Sequence, residues 1–131
     1  MAERPPLRPT EAELSILRVL WRRGPSTVRE VQHDLERERQ PGYTTVLKLL
    51  QIMADKGLVR RDESVRAHVY RAAVAEEETQ SRLLGDLLDR AFGGSAAQLV
   101  QRALLSRPAS AEELAEIRRL LDTYDAQGER R

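Results

Sequence analysis

The chain has 131 residues, with 22 Lys+Arg against 21 Asp+Glu for a formal net charge of +1. Apolar residues make up 40% and there is no cysteine, which sets aside disulfides, thiolate metal sites and cysteine nucleophiles together. Aromatics at 4% are too few for an aromatic-lined pocket or a base-stacking platform, and no apolar run approaches the roughly 20 residues of a membrane helix.

The leader Met1–Pro9 carries arginines and prolines and reads as a flexible N-terminal arm (1–9). It lacks the apolar stretch of a signal peptide, so a cytoplasmic protein with no membrane insertion is expected. Thr10-Glu11-Ala12-Glu13 is a capping box, in which the threonine oxygen and the glutamate each satisfy one orphan helix N–H. Leu14, Leu17, Leu20 and Trp21 follow at helical spacing, and Gly24-Pro25 stops that helix. A second box, Thr27-Val28-Arg29-Glu30, opens a short helix with Val28, Val31 and Leu35 inward. Pro41-Gly42 breaks the chain again. The third helix starts near Tyr43-Thr44 and ends at Gly57, a natural left-handed C′ residue.

After Gly57 the period changes. Leu58–Arg61 and His68–Arg71 are short and β-branched, and the polar stretch Asp62–Ala67 between them makes a hairpin with a charged tip. The remainder returns to helix. Glu76–Phe92 carries Leu83, Leu84, Leu87, Leu88 and Phe92 behind three acidic residues, and Gly93-Gly94 ends it. Boxes at Ser95–Gln98 and Ser110–Glu113 open two further helices, one with Leu99, Val100, Ala103 and Leu104, the other with Leu114, Ile117, Leu120 and Leu121.

The expected fold is therefore mostly α with a small β-hairpin wing. A winged helix-turn-helix DNA-binding domain (10–74) precedes a C-terminal helical dimerisation region (75–131). The second region is too short to bury much core alone, so its leucine-rich stripes are expected to close against a second copy. The candidate dimer residues are Leu84, Leu87, Leu88, Phe92, Leu99, Val100, Leu104, Leu114, Ile117 and Leu121. Charge divides along the same line: residues 1–74 hold 14 Lys+Arg against 10 Asp+Glu, net +4, and residues 75–131 hold 8 against 11, net −3. The basic half is the one suited to an anion.

In the third helix Val46, Leu49, Leu50 and Met53 form the inward stripe, leaving Thr44, Thr45, Leu47, Lys48 and Gln51 outward. Those residues suit a major groove: threonine bonds phosphates or base edges, lysine reaches phosphate or guanine, and glutamine pairs with adenine. An idle surface helix would also turn a polar face outward, though usually one richer in Glu and Lys. Arg60, Arg61, Arg66, His68 and Arg71 crowd the hairpin, and residues 41–72 hold six Lys+Arg against three Asp+Glu. Such a wing can lie on the phosphate backbone, and the ten DNA-contacting residues expected are Tyr43, Thr44, Thr45, Leu47, Lys48, Gln51, Arg60, Arg61, Arg66 and His68. Strand alternation turns Arg60 and Arg61 to opposite faces, so some of these arginines are expected to be structural.

Nothing points to catalysis. The two histidines, His33 and His68, have no carboxylate at ligand spacing, so no metal site is expected. Gly93-Gly94 lacks the Lys-Ser/Thr of a phosphate loop, and no serine has an identifiable base. No cofactor is expected. A winged-helix protein–protein adaptor using the leucine-rich tail is the alternative from another class.

Glu11-Ala12-Glu13-Leu14…Val19-Leu20-Trp21, Thr27-Val28-Arg29-Glu30-Val31, Tyr43-Thr44-Thr45-Val46, Lys56-Gly57-Leu58-Val59 and Ala67-His68-Val69-Tyr70 stand in that order before Gly93-Gly94 and two leucine-rich helices. From about Thr10 to Tyr124 this set resembles the penicillinase-repressor (BlaI/MecI/CopY-type) group of bacterial regulators. The resemblance implies a homodimeric repressor on double-stranded, pseudo-palindromic operator DNA, acting on genes of the β-lactam-resistance type. Its recognition helix corresponds to Tyr43–Lys56, with Thr44, Thr45, Lys48 and Gln51 as contacts. In the penicillinase branch a membrane sensor metalloprotease releases the genes by cutting the repressor after the Gly-Gly pair. The corresponding stretch here is Leu99–Ala103, with Gln101-Arg102 near the place of an Asn-Phe bond that this chain lacks. The copper-responsive branch senses through cysteines, and this chain has none.

Overall fold

The computed structural model describes residues 8–35, 41–64 and 66–129. Most of the arm (1–7) and one position of the wing tip (65) lie outside them. The two threonine boxes act as their spacing dictates. Thr10 caps α1 (Glu11–Arg23) and Thr27 caps α2 (Val28–Asp34), each with its glutamate bonding back to the cap amide. The third helix, α3 (Tyr43–Lys56), begins at Gly42 with no side-chain cap and ends on Gly57 at φ 84°, the left-handed turn that glycine adopts without steric cost.

Strands β2 (Val59–Asp62) and β3 (Val69–Ala72) form the expected antiparallel wing, with Val59 opposite Ala72, Arg60 opposite Arg71, Arg61 opposite Tyr70 and Asp62 opposite Val69. The hairpin expectation omitted a third strand. β1 (Ser26–Thr27) pairs with the free edge of β3, giving the order β1-β3-β2. Two residues show no periodicity, and they double as the approach to the Thr27 cap, so only the tertiary pairing reveals them.

Ile16, Leu17, Val19 and Leu20 of α1 pack with Val28 and Val31, with Val46, Leu50 and Met53, and with Leu58, Val59 and Tyr70. This core is what holds α3 and the wing as one face. Two expectations shift at its edge. Leu49, placed inward, is only half-buried, and Leu47, placed outward, also packs against the core's rim. One carboxylate is inside: Glu13 is buried and paired with Lys56.

Helix α4 (Glu76–Phe92) has the expected bounds and ends at Gly93 and Gly94, both at positive φ, with the Gly94 N–H donating to the Leu88 carbonyl. α5 (Ala96–Ser106) and α6 (Ala111–Glu129) follow, and Ser95 and Ser110 accept the amide of Gln98 and Glu113 respectively. The chain falls into two compact units, one through Leu84 and one from Gly85, so the first half of α4 counts with the winged unit. Trp21 Nε1 donates to the Val74 carbonyl at 3.0 Å, tying α1 to the segment just before α4. In the second unit Leu88, Phe92, Leu99, Leu114 and Ile117 are half-buried, while Leu87, Val100, Leu104, Leu105, Leu120, Leu121 and Tyr124 are exposed. No described helix is long and apolar enough to cross a membrane.

Candidate nucleic-acid interface

Helix α3 projects a crest made by Thr44, Lys48 and Gln51, all exposed. Positions three and four apart share a helix face, so Ile52 (39% exposed) and Asp55 continue that crest. Neither was singled out from sequence, although their spacing from Lys48 carried the signal.

Between this helix and the wing lies a concavity of about 600 Å³. α3 contributes Tyr43, Leu47 and Gln51, and the wing contributes Arg61, Arg66 and His68. Thr27, at the cap of α2, and Arg29, in its first turn, complete the polar lining. Six of the ten predicted DNA-contacting residues are thus gathered in one place, with no carboxylate among the described lining residues.

The other four stand elsewhere. Thr44 and Lys48 are on the crest. Thr45 lines a different groove, against α1, with Leu14, Arg18 and Leu49. Arg60 lines the wing's other hollow with Asp62, Glu63 and Arg71. Arg61 touches both hollows and is ion-paired with Glu63, which raises its pKa above the ordinary arginine value. At the tip, the hydroxyl and then the amide of Ser64 hold the Asp62 carboxyl below its usual range.

Arg29 is the residue sequence reasoning missed. Its guanidinium carbon lies 5.2 Å from the centroid of the Tyr43 ring, joining α2 to the first turn of α3. The same helix is held from behind by Arg23, which reaches Glu30 at 2.8 Å and Asp34 at 3.3 Å. The Thr27 amide, and then Arg23, keep the Glu30 carboxyl below its ordinary range. Among the described residues no group of His, Asp and Glu side chains could hold a metal ion.

Gln101 and Arg102 lie exposed within α5, against Ala91, Phe92 and Gln98.

Three helices, a three-stranded wing and a basic hollow shared by the third helix and the wing define a winged helix-turn-helix protein. The family model for the penicillinase repressor matches residues 9–123. A transcriptional regulator BlaI of Mycobacterium tuberculosis is 32% identical over 88% of this chain and 84% of its own length. The penicillinase repressor of Bacillus licheniformis is 23% identical over 88% of this chain and 90% of its own. The chain belongs to the penicillinase repressor family, and it is a transcriptional regulator rather than an enzyme. Among solved structures, the monomeric form of Bacillus licheniformis BlaI in complex with the blaP half-operator aligns with a TM-score of 0.49 and 22% identity. That alignment covers 56% of this chain and 90% of the other.

Proposed function

We propose that the protein is a cytoplasmic, homodimeric repressor that reads a pseudo-palindromic operator with α3 in the major groove. The observation that carries this reading is the hollow between α3 and the wing, lined by Arg29, Arg61, Arg66 and His68 with no described carboxylate. Arg29 and Arg66, which have no carboxylate partner among the described residues, suit a polyanion, and the adjoining crest of Thr44, Lys48 and Gln51 has the donors and acceptors that distinguish base pairs. Arg61, Arg66 and His68 then lie toward the backbone, while Arg60 on the wing's other face is left to its carboxylate neighbours.

The second copy docks through the second unit, whose exposed leucines are otherwise left in water. Two linked half-sites bind far more tightly than one, which is why a repressor gains from dimerising. The adaptor alternative would leave the basic hollow without an occupant. Release by a membrane sensor metalloprotease fits Gln101 and Arg102 only if α5 opens locally, because a peptide bond inside a helix does not fit an extended cleft.

The test is fluorescence anisotropy on a duplex from the gene's own promoter region against a scrambled duplex of equal length, at two salt concentrations. The reading expects preference for the promoter and affinity that falls steeply with salt. Equal, weak binding to both duplexes at low salt would overturn sequence reading by this surface.

A further inference from the structure

We propose that Arg29 of α2 grips a backbone phosphate of the operator, and that Tyr43 is its positioning residue. This rests on the groove-reading function above and assigns a role to a side chain outside the recognition helix and the wing.

Three observations lead to it. Arg29 lines the same hollow as Arg61, Arg66 and His68, but from the opposite element, so a strand lying in the hollow meets cations from α2 as well as from the wing. Arg61 is already committed to Glu63, whereas Arg29 has no carboxylate partner among the described residues. Its guanidinium instead sits over the Tyr43 ring at 5.2 Å, and Tyr43 is itself 41% exposed.

A guanidinium over an aromatic face keeps an N–H edge that the ring does not occupy. That edge is the fork that matches two phosphate oxygens. An arginine on an exposed helix ordinarily loses much rotamer freedom when it binds. The ring restrains Arg29 beforehand, so less is lost at the moment of contact. Tyr43 is the first residue of α3, so the same ring ties the phosphate grip to the helix that reads the bases. The hydroxyl plays no part in this arrangement; only the aromatic face does.

The test uses the full-length protein, the same two duplexes and a series of salt concentrations. Circular dichroism melts confirm that each variant is folded. Arg29→Ala is expected to bind both duplexes about tenfold more weakly and to lower the slope of log K against log salt by about one, the signature of one lost phosphate. Arg29→Lys keeps the charge and therefore the slope, but loses the stacked fork and binds about threefold more weakly. Tyr43→Phe keeps the ring, so it should keep the wild-type salt slope that Arg29→Ala loses. Tyr43→Leu should weaken binding by itself and have no further effect in the Arg29→Ala background, since both changes remove one device. If the wild type binds with salt sensitivity while Arg29→Ala keeps its affinity and slope, the phosphate grip is overturned and groove reading stands. If the Tyr43→Leu and Arg29→Ala losses simply add, the positioning role of Tyr43 is overturned. If the wild type binds neither duplex, the repressor reading fails and the phosphate grip with it.

Discussion

Both carboxylate oxygens of Glu13 accept hydrogen bonds from Lys56 Nζ, each at 2.9 Å, although the two residues stand 43 positions apart. Glu13 is the third residue of α1, where it also accepts the Thr10 amide, and Lys56 is the last residue of α3. The start of α1 is thereby fastened to the end of α3. The Glu13 side chain is 2% exposed, so its charge survives only because this pairing and the cap hold it.

Lys56→Met strands that carboxylate, and we expect the winged unit to lose about 2 kcal/mol, less than the roughly 3–5 kcal/mol of a fully buried pair because Lys56 is itself partly exposed. Chemical denaturation followed by circular dichroism measures it, and an unchanged midpoint would remove the pair from the stability of the fold.

The same pair sets a pH dependence. Burial pushes the Glu13 carboxyl up, but the Thr10 amide and the Lys56 ammonium outweigh it and hold the pKa below the ordinary glutamate value of 4.5. A lowered carboxylate stabilises the fold fully above that value. As pH falls past it, the unfolded chain takes up protons that the folded one refuses, and the contribution drains away until Glu13 itself protonates. Glu13→Gln is expected to be less stable than wild type at pH 7, with the gap between them narrowing toward pH 3. A constant gap across that range would show that the Glu13 charge is not what the pair contributes.

Trp21 gives a second long-range tie, through its indole N–H to the Val74 carbonyl. Trp21→Phe keeps most of the apolar area and removes the donor, so a loss of about 1 kcal/mol is expected. DNA affinity per folded molecule should be unchanged, because Trp21 lines neither the hollow nor the crest. A variant that melts with the wild type would show the bond to be dispensable.

These two ties mark where sequence reading stops. Thr10 with Glu13, Thr27 with Glu30, and Gly57 are legible because each acts within a few residues of itself, and they set the starts of α1 and α2 and the end of α3. The outward set on α3 is legible too, since helix period alone separates Lys48 from Val46 and Leu50. What period cannot supply is which neighbour packs beside each flank. Leu47 turns toward the wing and Thr45 toward α1 because of where those elements lie, and Arg29 acquires its role only when α3 brings Tyr43 against it. Glu13 looked like a capping residue and nothing more, since its buried partner lies at the far end of another helix.

On the crest, Lys48 stands clear of both flanking hollows, which suits it to base edges more than to the backbone. Lys48→Ala is expected to narrow the preference for promoter over scrambled duplex by about tenfold, within the range of one good base contact. Equal weakening on both duplexes would instead make Lys48 a phosphate contact.

The second unit carries the dimer, on our reading, and the residues that test it are leucines left exposed in one copy. Leu120 and Leu121 are each 60% exposed on α6, and Leu104 on α5 is 38% exposed. A charge introduced on a face that must desolvate against its twin costs association without disturbing a helix already open to water. Leu121→Glu in the full-length chain should therefore sediment as a monomer while keeping its helical circular dichroism. Its operator affinity should drop toward that of a single half-site, about a hundredfold weaker at the lower end of what linkage supplies. Binding to a duplex carrying only one half-site should hardly change, because the crest and the hollow belong to the first unit. A Leu121→Glu protein that still sediments as a dimer would move the interface off this face.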